Sequence, residues 1–190
     1  MINIDKNKCV GCGLCVAKCP NKAITLNADG FAVIDQAKCQ HCNLCIEACP
    51  QKAISDIDTQ KKIVFAIGTD DGKTLKEDNH VGMSVYYSIY EYANGKLDFK
   101  ERRKNIKYEE NEKLEHGDPN KARKVSSVLK GVDVIVGKRI GPNIARIKKQ
   151  FVPTVIRTNS IKKALEIIKE NIAKIIIEKD KKERVGIILN

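Results

Sequence analysis

Hydrophobic and polar positions change their period along this chain, and the change divides it. From Lys62, "KIVFAI" is a short apolar run bounded by Gly68, the pattern of a strand. The segment "TDDGKTLKEDNHVG" is rich in Asp, Asn and Gly and reads as a loop. "MSVYYSIYEY" carries β-branched and aromatic residues, "ANG" turns the chain, and "KLDFKERR" alternates as a hairpin partner does. A polar stretch over 104–120 precedes a helix expected over 121–130. "VDVIV" is then continuously apolar, as a strand buried on both faces must be. A second helix is expected over 144–150, and "VPTVIR" is another strand. Ser160 caps a third helix, on which Ile161, Leu165, Ile168, Ile172 and Ile175 fall at helical spacing. "RVGIILN" is expected as a last strand. A hairpin followed by alternating helix and strand predicts a mixed α/β sheet over 61–190.

The first 60 residues have another texture. "KCVGCGLCVAKCPNKAIT", from Lys8, and "KCQHCNLCIEACPQKAIS", from Lys38, match at an offset of thirty residues. Beyond the cysteines the copies share Lys8/Lys38, Leu14/Leu44, Pro20/Pro50, Lys22/Lys52, Ala23/Ala53 and Ile24/Ile54. This internal duplication predicts a pseudo-twofold module ending near Ile57, with "DIDTQKK" as a linker. The domains expected are therefore 1–60 and 61–190.

All eight cysteines of the chain lie in these two copies. Their spacing, C-x-x-C-x-x-C-x-x-x-C-P, is that of a 4Fe–4S ligand run. Three thiolates on one tight loop cap three irons of a cubane, but the same loop cannot reach the fourth corner. The fourth cysteine leaves the loop and serves the other cluster. Cys9, Cys12, Cys15 and Cys49 are thus assigned to one centre, and Cys39, Cys42, Cys45 and Cys19 to the second. Pro20 and Pro50 follow the fourth ligands and offer no competing amide donor. Gly11 and Gly13 let backbone amides approach the first cluster. A zinc site needs two well-separated C-x-x-C pairs, which this spacing does not provide. His41, inside the second loop, reads as a polar loop residue and not as a ligand.

Bulk composition narrows the setting. Of the 190 residues, 42% are hydrophobic and 31% charged, the balance of a globular chain. No apolar run approaches the ~20 residues of a membrane span, and no signal-peptide pattern follows Met1. A cytoplasmic, reducing setting is expected, where eight cysteines bind metal and do not pair. The formal charge of +11 raises nucleic acid as a partner. Lysines interleaved with acids, as in "IEKDKKER", favour a solvated surface instead, and neither nucleic acid nor membrane is expected as a partner.

Residues 62–157 offer little chemistry of their own. There is no cysteine, no phosphate-binding glycine loop and no catalytic constellation. Asp70, Asp71, Glu77 and Asp78 fall in one loop, whereas a two-metal site draws carboxylates from separate strands. "GKRIGPN" joins a buried strand to a helix with Pro142 in its first turn, suited either to an anion or to a plain turn.

Two resemblances extend this reading. Residues 1–55 resemble the two-cluster bacterial ferredoxins over their whole length, which implies a (βαβ)-twofold, α+β mini-domain. "KIVFAIGTDDGKTLKEDNHVG", "YYSIYEYANGK" and "KGVDVIVGKRIGPNIARIKKQFVPTVIRT" resemble the dinitrogenase iron–molybdenum cofactor biosynthesis family. That family includes NifX-like proteins and the C-terminal domain of NifB, and the resemblance covers about 62–165. It implies a ribonuclease H-like α/β fold without nuclease activity, and a role in holding or delivering iron–sulfur cofactors or their precursors. By that implication His80 is a cofactor contact, with Ile140, Gly141, Pro142 and Asn143 at the same end of the sheet. Val81 stands where the family carries an aromatic residue, and Lys138 and Arg139 where it carries small ones. Its His- and Gly-rich loop is reduced to His116 and Gly117.

The combined expectation is an electron carrier or accessory protein, not an enzyme. It would hold two 4Fe–4S clusters and assist assembly, delivery or reduction of a larger iron–sulfur cofactor. Its partner would be a redox or metallocofactor-maturation protein. The alternative is a plain ferredoxin whose second domain only docks a redox enzyme.

Overall fold

The computed structural model describes residues 1–58, 61–107 and 118–190. The chain forms two compact units, Met1–Asp58 and Thr59–Asn190.

The first unit is built from one arrangement used twice. Strand β1 (Ile2–Ile4), helix α1 (Leu14–Lys18) and strand β2 (Ile24–Leu26) recur as β3 (Ala32–Ile34), α2 (Leu44–Glu47) and β4 (Ile54–Asp56). Each antiparallel pair takes one strand from each copy, β1 with β4 and β2 with β3. Neither copy forms its sheets alone. Helices of one turn have no stability of their own and depend on packing. That packing is thin: Ile2, Ile24, Ala32 and Ile54 gather around the buried Cys15 and Cys45. A core this small needs a staple beyond its apolar area.

The second unit is a six-stranded mixed sheet. Strand β5 (Ile63–Thr69) pairs antiparallel with β6 (Tyr86–Ala93), which forms a hairpin with β7 (Lys96–Lys104). On the other side β5 runs parallel to β8 (Val134–Gly137), β8 to β9 (Val152–Ile156), and β9 to β10 (Ile187–Leu189). The strand order is β10-β9-β8-β5-β6-β7. Helices α3 (Pro119–Val128) and α4 (Ile144–Ile147) carry Val125 and Ile147 into a core with Ala66, Tyr87, Ile89, Ile135 and Phe151. Strand neighbours alternate between faces, so Phe65, Ile67, Val134 and Val136 are buried on the other face. Helices α5 (Ile161–Glu170) and α6 (Ile172–Asp180) bury Ile161, Ala164, Ile168, Ile172 and Ile175. Burial on both faces accounts for the unbroken apolar run of β8.

Three sequence expectations need correction. The third helix is two, because Asn171 leaves helical geometry and its side-chain amide donates to the Ile167 carbonyl, closing α5 before α6 begins. The helix expected over 121–130 starts at Pro119, with the Asp118 carboxylate accepting from the Asn120 N–H as N-cap. The helix expected over 144–150 is a single turn, and Pro142 lies before it. A single turn has little dipole, so the anion reading of "GKRIGPN" loses its physical basis. The closing strand is present as β10. Among the described residues, no helix is long and apolar enough to cross a membrane.

Candidate cluster sites and the histidine loop

In the first unit the cysteines fall into two groups, each around a cavity. One cavity is lined by Cys9, Cys12, Cys15 and Cys49. The other is lined by Cys39, Cys42, Cys45 and Cys19. Each quartet takes three thiols from one loop and the fourth from the other copy. The thiols ring volumes and do not converge on points. Among the described residues, no three His, Cys, Asp or Glu side chains are grouped for a single metal ion. A cubane, each of whose corners is capped separately, suits such donors.

The two loops share one backbone path. Gly11 and Gly13 have φ of 68° and 75°, and their counterparts His41 and Asn43 have φ of 55° and 63°. The left-handed bend is therefore a property of the loop. In the second copy it is held by the residue types that tolerate it better than most. Gly11 has a further reason to be glycine, since a Cβ there would lie 2.2 Å from the Gly30 carbonyl oxygen. His41 is exposed, as its reading as a loop residue expects.

The fourth cysteines of the two runs, Cys19 and Cys49, have matching surroundings. The Ala23 N–H donates to Cys19 Sγ, and the Ala53 N–H to Cys49 Sγ, both at 3.3 Å. Amide donors of this kind offset thiolate charge and tune a cluster's potential. Burial pushes the Cys15 and Cys45 thiols up. Cys12 and Cys42 are exposed.

In the second unit the loop after β5 returns to the carboxyl ends of β5 and β8. There Val81 opens a 3-10 turn, Val81–Met83. The Val81 N–H donates to the Arg139 carbonyl at 2.9 Å. Val81 packs where a Cβ on Gly68 or Gly137 would stand, 2.6 Å and 2.7 Å from its side-chain atoms. A Cβ on Gly141 would lie 2.6 Å from His80 Cγ. The imidazole therefore lies against Gly141, and two residues that the sequence proposed as one site are brought together. Pro142 is exposed beside them. Asn143 is turned inward, buried, with its Oδ1 accepting from Arg146. Ile140 packs against the core. Lys138 pairs with Glu77 at 2.7 Å, while Arg139 is exposed. His116 and Gly117 lie outside the described residues.

Sequence reading missed the residues that hold this loop. Asn105 Nδ2 donates to the carbonyls of Gly82 and Ser84, at 3.1 Å and 2.8 Å. The Tyr87 hydroxyl, fully buried, donates to the Val81 carbonyl at 3.2 Å. No local pattern marks Asn105, because its partners are more than twenty residues away.

Three carboxylates of the acidic loop are engaged locally. The Asp71 carboxylate accepts from the N–H groups of Thr74 and Lys73, which hold it well below the usual carboxylate range. Asp70 accepts from the Val85 N–H and pairs with Lys76, and Glu77 is taken by Lys138.

Comparison with protein-family models agrees with this division of the chain. The model described as 4Fe-4S dicluster domain matches residues 8–53. The model described as dinitrogenase iron-molybdenum cofactor matches residues 61–174. No curated protein matches the chain.

Proposed function

Because the chain belongs to the dinitrogenase iron-molybdenum cofactor family and carries a 4Fe-4S dicluster domain with two clusters, we propose that it couples electron transfer to the handling of a larger iron–sulfur cofactor. In this reading, residues 1–60 are the electron-transfer domain and 61–190 the cofactor domain, with a ribonuclease H-like fold. Cys9, Cys12, Cys15 and Cys49 hold one cluster, and Cys39, Cys42, Cys45 and Cys19 the other. The two halves of the module are related by a pseudo-twofold. When bound, each 4Fe–4S centre accepts and releases single electrons. The protein's part is to cap the irons, donate amides to sulfur and limit water.

The observation that carries the reading is the division of eight cysteines into two cavity-lining quartets that exchange their fourth members. The second domain's part rests on His80 fixed against Gly141 at the end of the sheet, beside the exposed Pro142. There His80 supplies an imidazole ligand to a transient cofactor or precursor, and a metallocofactor-maturation protein is the partner. A second reading is supported by Val81, which fills the space between Gly68 and Gly137. With the sheet end closed this way, the domain serves only to dock a redox enzyme.

Anaerobic iron and sulfide analysis is expected to give about eight of each per chain, as two cubanes require. A content near four, or zinc in place of iron, sinks the two-cluster assignment. Cys19→Ser is expected to damage the cluster of the second loop, seen as loss of one of two paramagnetic signals on reduction. For the second domain, the full chain is mixed anaerobically with extracted iron–molybdenum cofactor and with a preformed 4Fe–4S cluster. Uptake beyond the resident iron, reduced by His80→Ala, supports cofactor handling. Negligible uptake by parent and variant alike leaves the docking reading.

A further inference from the structure

The chain's positive charge is distributed unevenly. Residues 1–60 contain six Lys and six acidic residues, so the whole +11 belongs to 61–190. Within it, residues 134–165 hold eight Lys and Arg and no Asp or Glu. This stretch is β8, α4, β9 and the start of α5. Chain direction places part of it at one edge. Lys138 and Arg139 follow the carboxyl end of β8, and Arg157 follows that of the adjacent parallel strand β9. Lys162 and Lys163, five and six residues after Arg157, lie in the first turn of α5.

Two of these five are neutralised, Lys138 by Glu77 and Lys163 by Glu166. Arg139, Arg157 and Lys162 are exposed and meet no carboxylate among the described residues. The acids of the facing 70–78 loop do little to offset them. Asp70 and Glu77 are paired, Asp71 is consumed by its own turn, and Asp78 is exposed. Two of the three exposed cations are arginines, which suit bidentate pairing with carboxylates. Pro142 and Ile144, the latter 40% exposed, add apolar surface within the same stretch. The stretch's only aromatic residue, Phe151, is buried, so the rim offers no ring on which nucleic-acid bases can stack.

We infer that this rim, centred on Arg139, Arg157 and Lys162, is a docking surface for the acidic face of a partner protein. Charge complementarity steers such encounters and sets their register, and buried apolar contact holds them. The inference deepens the partner half of the proposed function, resting on the reading that the second domain meets another protein. It does not depend on cofactor uptake.

The test uses the full iron-loaded chain and poly-L-glutamate as the acidic probe, with single-stranded and duplex DNA as comparison probes. Fluorescence anisotropy at low salt gives the affinities. The rim variant reverses three exposed charges (Arg139→Glu, Arg157→Glu, Lys162→Glu). The control variant reverses three equally exposed ones elsewhere (Lys96→Glu, Lys130→Glu, Lys182→Glu). The rim variant is expected to bind the peptide at least about tenfold more weakly and with a shallower salt dependence, and the control to change it by about twofold or less. Equal losses in both variants reduce the effect to net charge and overturn the surface. So does no measurable binding by the parent. Tighter, rim-dependent binding of either DNA overturns the protein partner in favour of nucleic acid. The peptide assay contains no added cofactor and the uptake assay no peptide, so neither outcome enters the other. Failure here and failure of the uptake experiment are thereby read separately.

Discussion

Gly11 and Gly13 occupy the same kind of left-handed bend in the first cluster loop, yet they differ in what surrounds them. A Cβ at Gly13 meets nothing within 4 Å, whereas one at Gly11 lies 2.2 Å from a backbone oxygen of the β2–β3 turn. Gly13→Ala therefore costs only the strain of a side chain at positive φ, ~1 kcal/mol. Asn43, at the equivalent point of the second copy, shows that a side chain is accommodated there. Gly11→Ala adds an overlap that only a shift of the hairpin relieves, roughly 2–5 kcal/mol in all. Anaerobic denaturation followed by cluster absorbance is expected to rank the two variants in that order. Equal losses would mean that backbone strain alone decides. Which thiols line a common cavity follows from reach along a short loop, because their spacing is covalent. The packing of His80 on Gly141 could be anticipated only through family resemblance, and the role of Asn105 not at all, since it exists only once β7 has returned to the loop after β5.

At the level of elements, continuous apolar runs were read correctly where burial on both faces left no ambiguity, as in β5 and β8. Periodicity failed at α5 and α6, because Ile168, Ile172 and Ile175 keep helical spacing across Asn171 although the backbone breaks there. A hydrophobic stripe records which side faces the core, not whether the axis continues. The end of α6 carries its own device. Glu178 is buried, and its carboxylate accepts from the N–H groups of Val185 and Gly186 while pairing with Lys181. Burial pushes this carboxyl up, but the Lys181 ammonium and the two amides together outweigh it and hold it below its ordinary value. A lowered folded-state value means that the stabilisation is present above the unfolded carboxyl's titration. It is lost as pH falls through the folded one. Glu178→Gln is expected to cost ~1–3 kcal/mol near neutral pH, the range for hydrogen bonds to a charged group. The gap between parent and variant should close as the pH is lowered through and below the ordinary glutamate range near 4. Urea unfolding at several pH values measures both; a pH-independent gap would assign the loss to packing.

For the whole molecule, the two units are stabilised by different means. The second has a sheet covered on both faces and a continuous apolar core, enough for a domain of its size. The first has six small strands and helices around a small core centred on Ile2, Ile24, Ala32, Ile54 and two cysteines, too little apolar area by itself to offset the entropy of ordering 58 residues. Eight bonds from thiolate to iron tie both copies together at points far apart in sequence, and that cross-linking supplies what the core lacks. Iron is therefore a folding component of one unit and irrelevant to the folding of the other. Removing iron from the full chain with a chelator under anaerobic reducing conditions is expected to abolish the cooperative unfolding of residues 1–58. The transition of the α/β unit should keep its midpoint and amplitude. Hydrogen exchange resolved along the sequence checks this directly: protection of Ile2, Ile24 and Ile54 amides should vanish on iron removal, while protection across Ile63–Thr69 and Val134–Gly137 persists. Retained protection in the first unit would show that its apolar contacts suffice. Loss in both units would show that the α/β unit's stability is coupled to the clusters, which two separate cores do not predict.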